Sequence, residues 1–499
     1  MNILYDERLD GPLPKVDPEL ALSRLREALP GMTLLHRDED RRPFECDGLS
    51  VYRVMPMLVA LPETVDQVVT LMRTCHELGL PVVTRGAGTG LSGGALPLEQ
   101  GVLLVMSRFD RILELDADAR IARVQPGVRN LAISETAAPH GLYFAPDPSS
   151  QIACSIGGNV AENAGGVHCL KYGLTVHNVM ALEVVTIEGE RITIGSEAFD
   201  APGFDLLALF NGSEGMLGVI TEVTVKLLPR PQSAKVIMAS FDDLEKAGRA
   251  VGDIIAAGIV PGGLEMMDNL AIRAAEDFIH AGYPVDAEAI LLCELDGVEA
   301  DVADDCQRVR EVLAQAGATQ ITLARDDAER ARFWAGRKNA FPAVGRLSPD
   351  YYCMDGTIPR RELPRVLKGI AELSDESGLR VANVFHAGDG NLHPLILFDA
   401  NRDGELSQAE RVGGRILELC VEAGGTITGE HGVGREKINQ MCTQFEADEI
   451  TLFHAVKAAF DPHTLLNPGK NIPTLARCAE YGAMHVHHNQ LPHPELPRF

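Results

Sequence analysis

The chain has 499 residues, which is too long for one hydrophobic core of ordinary size, so we expect two or three domains. It is 45% hydrophobic and 23% charged, as is typical of a soluble globular protein. Its formal net charge of −26 argues against partners that are themselves anionic, namely nucleic acids and anionic membrane surfaces. Any basic pocket for an acidic substrate must therefore be local.

The amino terminus has neither the basic segment nor the apolar segment of a signal peptide, and no apolar run is long enough to cross a bilayer. The ten cysteines include no C-x-x-C pair. This pattern predicts reduced thiols in a cytoplasmic protein and supplies neither a zinc knuckle nor an iron–sulfur motif. Iron–sulfur clusters, if the function needs them, belong to another chain.

Four segments follow one another along the chain. Residues 1–52 are polar and predict a helical lead-in. Residues 53–231 alternate short strands with helices and are rich in glycine; one helix, TVDQVVTLMRTCHELG, is marked by a capping Thr64 and by Gly79 near its end. Two prolines within LLPRPQSAK indicate a domain boundary. Residues 232–439 alternate long helices with strands, which predicts an α+β layer with an antiparallel sheet, and residues 440–499 contain helices and a tail rich in proline and histidine.

The densest glycine run is PVVTRGAGTGLSGGALP. Gly88, Gly90 and Gly93 satisfy G-x-G-x-x-G, but a strand follows them where a dinucleotide fingerprint needs a helix, so a Rossmann site is not predicted. The run is instead a long loop between strands, whose bare amides can approach phosphate oxygens. A flexible surface loop is the alternative. Two further small-residue stretches, residues 146–166 and 214–221, favour one large cofactor that lies across all three.

Two histidines flank a turn in VFHAGDGNLHPLILF. Asp389 and Gly390 predict a two-residue hairpin turn, which would pair His386 directly with His393, with Cβ atoms about 5 Å apart. Two imidazoles at that separation can bind one metal ion, although an ordinary cross-strand pair is the alternative. Glu430 and His431 stand between glycines in TGEHGVG. They add a carboxylate and a third imidazole, although a surface turn would also explain them.

The combined motifs resemble a known family. The order R85-G-A-G-T-G, P146-D-P-S-S, G157-G-N-x-A-E-N-A-G-G and E214-G-M-L-G-V-I-T is similar to the FAD-binding domain of the vanillyl-alcohol oxidase/p-cresol methylhydroxylase (PCMH) superfamily. The downstream H386-A-G-D-G-N-L-H and G429-E-H-G-V-G resemble its D-2-hydroxy-acid dehydrogenase branch, and nearly the whole chain is similar to flavin subunits of bacterial glycolate oxidases. The implied fold class is α+β, with a two-part PCMH-type FAD-binding domain over residues 53–231 and an α+β cap domain over residues 232–439. Residues 440–499 would return to the FAD domain.

By this resemblance, residues 85–94 would hold the pyrophosphate of FAD, residues 146–166 the isoalloxazine ring and ribityl chain, and residues 214–221 the adenine side. Family members with covalent flavin carry a histidine at the position of Gly88, so noncovalent FAD is implied. The implied cofactor-binding residues are Arg85, Gly86, Ala87, Gly88, Thr89, Gly90, Leu91, Ser92, Pro146, Asp147, Ser149, Gly157, Gly158, Asn159, Asn163, Gly165, Gly218, Val219, Ile220 and Asn467.

The resemblance also implies the chemistry. His386, His393 and Glu430 would bind a divalent metal, zinc or manganese, and His431 would be the base that accepts the substrate hydroxyl proton. FAD would accept the hydride. Arg337 maps onto the arginine that pairs with the substrate carboxylate, although a solvated charge on a helix is an equal alternative. Tyr352 and Phe341 stand where larger substrates would need polar contacts, which favours a small acid, glycolate or D-lactate.

Partners are implied as well, because the chain has no iron–sulfur motif and no nicotinamide fingerprint to receive electrons. Family assemblies combine the flavin subunit with a second flavoprotein-like subunit and an iron–sulfur subunit on the cytoplasmic side of the inner membrane. The tail, with His485, His487 and His488, is expected to bind partners, and deletion of residues 480–499 should weaken that association. Competing hypotheses are a D-2-hydroxyglutarate or dedicated D-lactate dehydrogenase, a scaffold subunit without chemistry, and a flavin-free metallohydrolase.

Overall fold

The computed structural model describes residues 5–198 and 202–481, so the predictions for the histidine-rich tail lie outside the described residues. The first half of the described chain is built on short strands: β1 (Thr33–Leu35), β2 (Leu58–Leu61), β3 (Val82–Arg85), β4 (Val102–Val105), β5 (Ile112–Asp116), β6 (Ile121–Val124), β7 (Leu142–Tyr143), β8 (Val179–Val185), β9 (Arg191–Gly195), β10 (Val219–Lys226) and β11 (Leu228–Pro229). Its helices are α1 (Glu7–Asp10), α2 (Pro18–Ala28), α3 (Asp38–Arg41), α4 (Val65–Leu78), α5 (Asn130–Ala137), α6 (Ile156–Glu162), α7 (Cys169–Tyr172) and α8 (Leu206–Phe210).

The second half has longer elements. Its strands are β12 (Ser233–Phe241), β13 (Gly263–Asp268), β14 (Ala289–Gly297), β15 (Gln320–Leu323), β16 (Asp350–Cys353), β17 (Val381–Phe385) and β18 (Pro394–Phe398). Its helices are α9 (Leu244–Ala256), α10 (Asn269–Ile279), α11 (Glu299–Gln315), α12 (Asp327–Lys338), α13 (Ala340–Val344), α14 (Leu363–Ser377), α15 (Glu405–Glu422), α16 (Met441–Gln444), α17 (Ala447–Phe460) and α18 (Leu475–Tyr481).

Two sheets carry the glycine-rich half. One has the order β1-β2-β4-β3, in which β2, β4 and β3 are parallel and β1 is antiparallel to β2. The other is antiparallel, with the order β5-β6-β10-β8-β9. Strand β1 lies in the segment predicted to be a helical lead-in, so that prediction was wrong for residues 33–35. A three-residue strand has too short a pattern to be recognised before its neighbour β2 is known.

Helix α4 forms where the sequence predicts it. The side chain of Thr64 accepts a hydrogen bond from the backbone N–H of Gln67, and Gly79 ends the helix in the left-handed conformation. Val68, Leu71, Met72 and Cys75 on one side of the helix are fully buried and pack with the strands of the β1-β2-β4-β3 sheet. The amphipathic pattern therefore fixes which face of the helix covers the sheet.

The second half contains the predicted antiparallel sheet, with seven strands in the order β15-β12-β14-β13-β17-β18-β16. Its strands alternate between two cores: Ile237 and Ala239 of β12 pack in one, while Val236 and Met238 pack in the other. Helices α9, α11, α14 and α15 cover the first face, and α10, α12 and α13 cover the second. Because both faces are covered, strand β14 is apolar along most of its length instead of alternating.

The chain returns to its first half near its end. Leu466 forms a parallel bridge with Val82, and Asn467 donates its backbone N–H to the carbonyl oxygen of Val82 at 2.8 Å. Helices α16 and α18 are joined by a disulfide between Cys442 and Cys478, whose Cα atoms are 5.3 Å apart. The prediction that the cysteines are all reduced was therefore wrong for this pair, since a separation of 36 residues gives no hint that the two helices meet. Among the described residues, no helix combines the length and apolar character needed to cross a membrane.

Candidate active site

The turn between β17 and β18 differs from the predicted one. His386 pairs with Asn391, and Asn383 pairs with Pro394, so residues 387–390 form a four-residue loop. The predicted direct pairing of His386 with His393 was therefore wrong. The shift is two residues, which keeps both side chains on the same face of the hairpin, whereas a shift of one would have separated them. The two rings still meet, with centroids 5.1 Å apart.

The side chains of His386, His393 and Glu430 converge. The Nε2 atoms of the two histidines lie 3.3 and 3.2 Å from Oε1 of Glu430, and the three side chains are buried. Although burial alone would raise it, the pKa of Glu430 is held well below its usual value by these histidines. Oε2 of Glu430 and Nε2 of His393 have no well-formed hydrogen bond within the described chain. Two imidazole nitrogens and an ionised carboxylate with spare acceptor atoms fit a divalent ion.

Glu265 lies directly behind this cluster. It is a carboxylate in the middle of β13 and is 1% exposed. Its Oε1 is 2.8 Å from Nδ1 of His386, and its Oε2 is 2.8 and 2.7 Å from Nε and Nη2 of Arg337. The structure thus places the predicted carboxylate anchor, Arg337, in a buried ion pair at the end of α12, and the alternative of a solvated helix charge is excluded.

Asp355 organises the loop that carries Glu430 and His431. Its carboxylate accepts hydrogen bonds from the backbone N–H groups of residues 429, 430 and 431, at 3.1, 3.2 and 2.8 Å, and from Nζ of Lys437 at 3.1 Å. Burial would raise the pKa of Asp355, but the charge of Lys437 contributes most to holding it well below its usual value. A buried carboxylate with this many donors fixes the loop, and with it the direction of the side chains of Glu430 and His431.

His431 faces the same site from the other side of His393. Its side chain is mostly shielded, with 14% exposed, and Nδ1 has no hydrogen-bond partner among the described residues. Burial lowers the pKa of His431 to about 4. The ring is therefore neutral at neutral pH, which is the state in which an imidazole accepts a proton.

A cavity of about 400 Å³ joins this cluster to the glycine loops. His393, Glu430 and His431 line one end, together with Lys338 and Phe341. Twelve of the predicted cofactor-binding residues also line it: Gly86, Ala87, Gly88, Thr89, Gly90, Leu91, Ser149, Gly157, Gly158, Asn159, Gly218 and Ile220. The three glycine-rich stretches, which are far apart in the sequence, therefore form one elongated site.

The cavity fits a large polar cofactor such as FAD. A Cβ atom added at Gly90 would meet no heavy atom nearer than 3.9 Å, so the backbone there opens towards the cavity. Oγ1 of Thr84 and Oε2 of Glu162 line the cavity, are buried, and lack hydrogen-bond partners within the described chain. Bare backbone and unpaired polar atoms around one elongated cavity are the features that a nucleotide cofactor requires.

Other predicted residues lie behind the cavity wall. Asn467 donates its side-chain amide to the carbonyl oxygens of Gly94 and Glu214, at 3.0 and 2.7 Å, and so ties two of the loops together. Gly165 approaches the cluster of His386, His393 and Glu430, since a Cβ atom there would lie 2.9 Å from Oε2 of Glu430. The remaining predicted residues that do not line the cavity are Arg85, Ser92, Pro146, Asp147, Asn163 and Val219.

The two residues used to infer a small substrate have different positions. Phe341 lines the cavity, in edge contact with His393 at 6.1 Å between ring centroids. Tyr352 lies instead in a separate cavity lined by Glu410 and Glu436. The inference from Tyr352 was therefore wrong: strand β16 alternates its side chains, and Tyr352 points away from the substrate end.

Sequence reasoning missed two carboxylates with clear structural roles. Glu265 is one, and a lone Glu among the apolar residues of GLEMMD was the only available signal. Glu214 is the other; it accepts hydrogen bonds from the backbone N–H groups of Val433 and Gly434 at 2.7 and 2.8 Å. It thereby joins the third glycine stretch to the loop of His431, and it belongs to a motif that had been assigned only to cofactor binding.

Comparisons with known proteins agree with this geometry. A family model described as the FAD binding domain matches residues 56–195, and one described as FAD linked oxidases, C-terminal domain, matches residues 230–471. The chain belongs to the family of FAD-linked oxidases.

Particular relatives extend the comparison. The chain is 74% identical over its whole length, and over the whole length of the relative, to the glycolate oxidase subunit GlcD of Escherichia coli strain K12. It is 32% identical to a D-lactate dehydrogenase of Anaerostipes hadrus, over 91% of this chain and 98% of the relative. The solved structure of p-cresol methylhydroxylase with substrate bound superposes with a TM-score of 0.78 at 17% identity, and covers 92% of this chain and 98% of its own. The predicted α+β fold with a PCMH-type FAD-binding part is thereby confirmed, and the chain is an FAD-dependent oxidoreductase.

Proposed function

We propose that this chain oxidises glycolate to glyoxylate, and also D-lactate to pyruvate, and passes the electrons to partner subunits rather than to NAD. One observation carries the proposal: His393, Glu430 and His431 line one end of a cavity that the glycine-rich loops also line, and Nε2 of His386 lies 3.3 Å from Oε1 of Glu430 behind that end. The names of the 74% and 32% identical relatives supply the two substrates. Phe341 lines this end of the cavity with an apolar ring that cannot hydrogen-bond a second carboxylate, which favours acids of this size over a dicarboxylate.

The chain's own residues hold and activate the substrate. When bound, FAD accepts the hydride from the substrate carbon, and a divalent ion, zinc or manganese, favours ionisation of the substrate hydroxyl. His386, His393 and Glu430 would hold the ion. His431, with its pKa lowered to about 4 by burial, is the base that takes the hydroxyl proton on its ring nitrogen.

Arg337 remains our candidate for the substrate carboxylate. Glu265 engages its Nε and Nη2 atoms, and a guanidinium has five N–H donors in all, so donors remain for a second carboxylate. The next residue, Lys338, lines the cavity and adds positive charge at the same end. Because Glu265 balances the charge of Arg337, Lys338 is the cation that attracts a small anion to this end of the cavity in a chain with a net charge of −26.

We propose that the flavin is held without a covalent bond and that the electrons leave through other chains. Gly88, which lines the cavity, offers no side chain for attachment. The relatives with glycolate oxidase names are themselves called subunits. A second flavoprotein-like subunit and an iron–sulfur subunit, on the cytoplasmic side of the inner membrane, would complete the assembly, and this chain would reach the membrane only through them.

The decisive experiment mixes the purified protein anaerobically with a panel of 2-hydroxy acids and follows the loss of the visible absorbance of oxidised flavin (~450 nm). Glycolate and D-lactate should bleach the flavin fastest, and D-2-hydroxyglutarate and L-lactate should do so slowly. Faster bleaching by D-2-hydroxyglutarate would favour the competing dehydrogenase, and a protein without flavin would favour the scaffold.

A further inference from the structure

We infer that Glu265 is a positioning residue that sets the orientation of the metal-binding histidine and of the substrate-binding arginine together. The inference rests on the proposed function, because it concerns the same metal and the same substrate. It adds a residue from β13, far in the sequence from either motif, whose single carboxylate contacts His386 through one oxygen and Arg337 through the other.

The contact with His386 determines which ring nitrogen is free. Nδ1 of His386 lies 2.8 Å from Oε1 of Glu265, and a carboxylate can only accept a hydrogen bond, so Nδ1 carries the proton. In the neutral ring, Nε2 then presents its lone pair, and Nε2 is the atom that lies 3.3 Å from Glu430. A carboxylate behind a histidine also makes the imidazole a stronger ligand, and loss of such a partner typically lowers metal affinity 10- to 100-fold.

The contact between Glu265 and Arg337 balances the charge of the buried guanidinium and fixes the orientation of that side chain. Both side chains are almost completely shielded, at 3% exposure for Arg337 and 0% for Glu265. A charge buried to this degree needs an ionised partner close by, and Glu265 supplies it through Oε2. Because the same rigid carboxylate holds both groups, the arginine and the metal ligand keep a fixed separation, as a substrate bound at both ends requires.

The test is the affinity of the FAD-loaded, metal-free protein for Mn²⁺ and Zn²⁺ added alone, measured by titration calorimetry. Glu265→Gln should weaken binding of both ions about 10- to 100-fold, because the amide cannot supply the negative charge behind His386. FAD content should stay at the wild-type level. Arg337→Gln keeps Glu265 behind His386, so its metal affinity should stay within about twofold of wild type, while KM for glycolate rises.

Asp268→Asn provides the matched control. Asp268 is a part-buried carboxylate at the end of the same strand, and it accepts hydrogen bonds from Ala271 and Asn383 instead of from a proposed metal ligand. This variant loses the same charge from the same strand, so it should lower the melting temperature without a change in metal affinity. If Glu265→Gln does not fold, the double variant Glu265→Gln/Arg337→Gln removes the unpaired buried charge and should still bind metal weakly.

The outcomes separate the two proposals. A wild-type chain that binds neither ion overturns the metal site, and this inference with it. If the wild-type chain binds metal and Glu265→Gln, or the double variant, binds it equally well, the proposed role of Glu265 is overturned but the metal site is not. If Asp268→Asn weakens metal binding as much as Glu265→Gln does, the strand and not the contact with His386 sets the metal affinity. That result would also overturn the proposed role of Glu265.

Discussion

The imidazoles of His393 and His431 stack face to face, with ring centroids 4.8 Å apart and planes inclined by 6°. One ring belongs to the proposed metal-binding set, and the other is the proposed base. Nε2 of His431 lies 4.0 Å from Oε1 of Glu430, farther than the 3.3 and 3.2 Å of His386 and His393, and burial keeps the pKa of His431 at about 4. A neutral base next to a cation is the arrangement that removal of a hydroxyl proton requires.

Replacement of the base tests this relationship. His431→Gln should slow reduction of the flavin by glycolate about 10²- to 10⁴-fold, since general-base catalysis typically contributes that much. Anaerobic stopped-flow absorbance at saturating glycolate measures the rate. The ratio of flavin to protein should not change, because His431 lies at one end of the cavity. Reduction at the wild-type rate would show that another group accepts the proton.

The proposed metal ligands give a second prediction. His386→Ala or His393→Ala should abolish substrate-driven flavin reduction and leave FAD bound, since a Lewis acid typically supplies several kcal/mol of barrier lowering. His454→Ala is the control, because its Nε2 contacts only the carbonyl oxygen of Pro473 in the described contacts. Prolonged chelation of the wild-type protein should mimic the first two variants. Near-normal reduction after chelation would refute a catalytic metal.

The glycine loop gives a third prediction. Acid precipitation should release the flavin into the supernatant; flavin that stays with the precipitate would contradict noncovalent binding. Gly88→Ala should weaken FAD binding, because Gly88 has a φ of 72° and lines the cavity. Gly141→Ala, at a φ of 69° with no heavy atom within 4 Å of the added Cβ, is the control. Both changes should cost about 1 kcal/mol of stability, but only the first should raise the dissociation constant of FAD.

His168 gives a pH prediction. It lies between Asp147 and Glu294, with ring nitrogens 2.8 and 3.2 Å from their carboxylates. Burial lowers its pKa, but Asp147 and then Glu294 outweigh burial and raise the pKa well above 6.5. A histidine whose pKa is higher in the folded than in the unfolded protein stabilises the fold. This stabilisation is fully present at pH values below the unfolded-state pKa, and it is lost as the pH rises through the folded-state pKa. The difference in unfolding free energy between wild type and His168→Gln should therefore be largest at about pH 6, just below the unfolded-state pKa of ~6.5, and should shrink at alkaline pH.

Urea titrations at several pH values measure this difference. Glu294→Gln removes one of the two carboxylates and should flatten the pH dependence, because less charge then favours the protonated ring. A difference between wild type and His168→Gln that stays constant with pH would contradict the raised pKa.

The carboxyl-terminal tail gives the last prediction. Deletion of residues 482–499 keeps Tyr481, whose hydroxyl donates to Oε1 of Glu418 at 2.6 Å, and therefore keeps the end of α18 in place. FAD binding and anaerobic reduction by glycolate should be unchanged, while association with the partner subunits weakens. Co-purification measured with a tagged iron–sulfur subunit gives the comparison. Full recovery of the truncated chain would show that the tail does not dock the partners.

The sequence by itself determined the cofactor loops and the chemical groups. The three glycine-rich stretches, and the short motifs that contain His386, His393, Glu430 and His431, are local patterns whose residue types limit the chemistry they can perform. The helix from Val65 to Leu78 was equally predictable, because residues close together in the sequence determine both its cap and its amphipathic face.

Only the tertiary structure decided how these parts meet. The hairpin register depends on the length of its loop, which the pairing of β17 with β13 and β18 with β16 constrains from outside the hairpin. Glu265 contacts a histidine 121 positions away, and the disulfide joins two helices that have no shared local pattern. The side chain of Tyr352 points away from the cavity of the glycine-rich loops, because the pleat of β16, and not the residue type, sets the direction of each side chain. Long-range contacts of this kind carry no local signal, so a single sequence specifies them only through the complete fold.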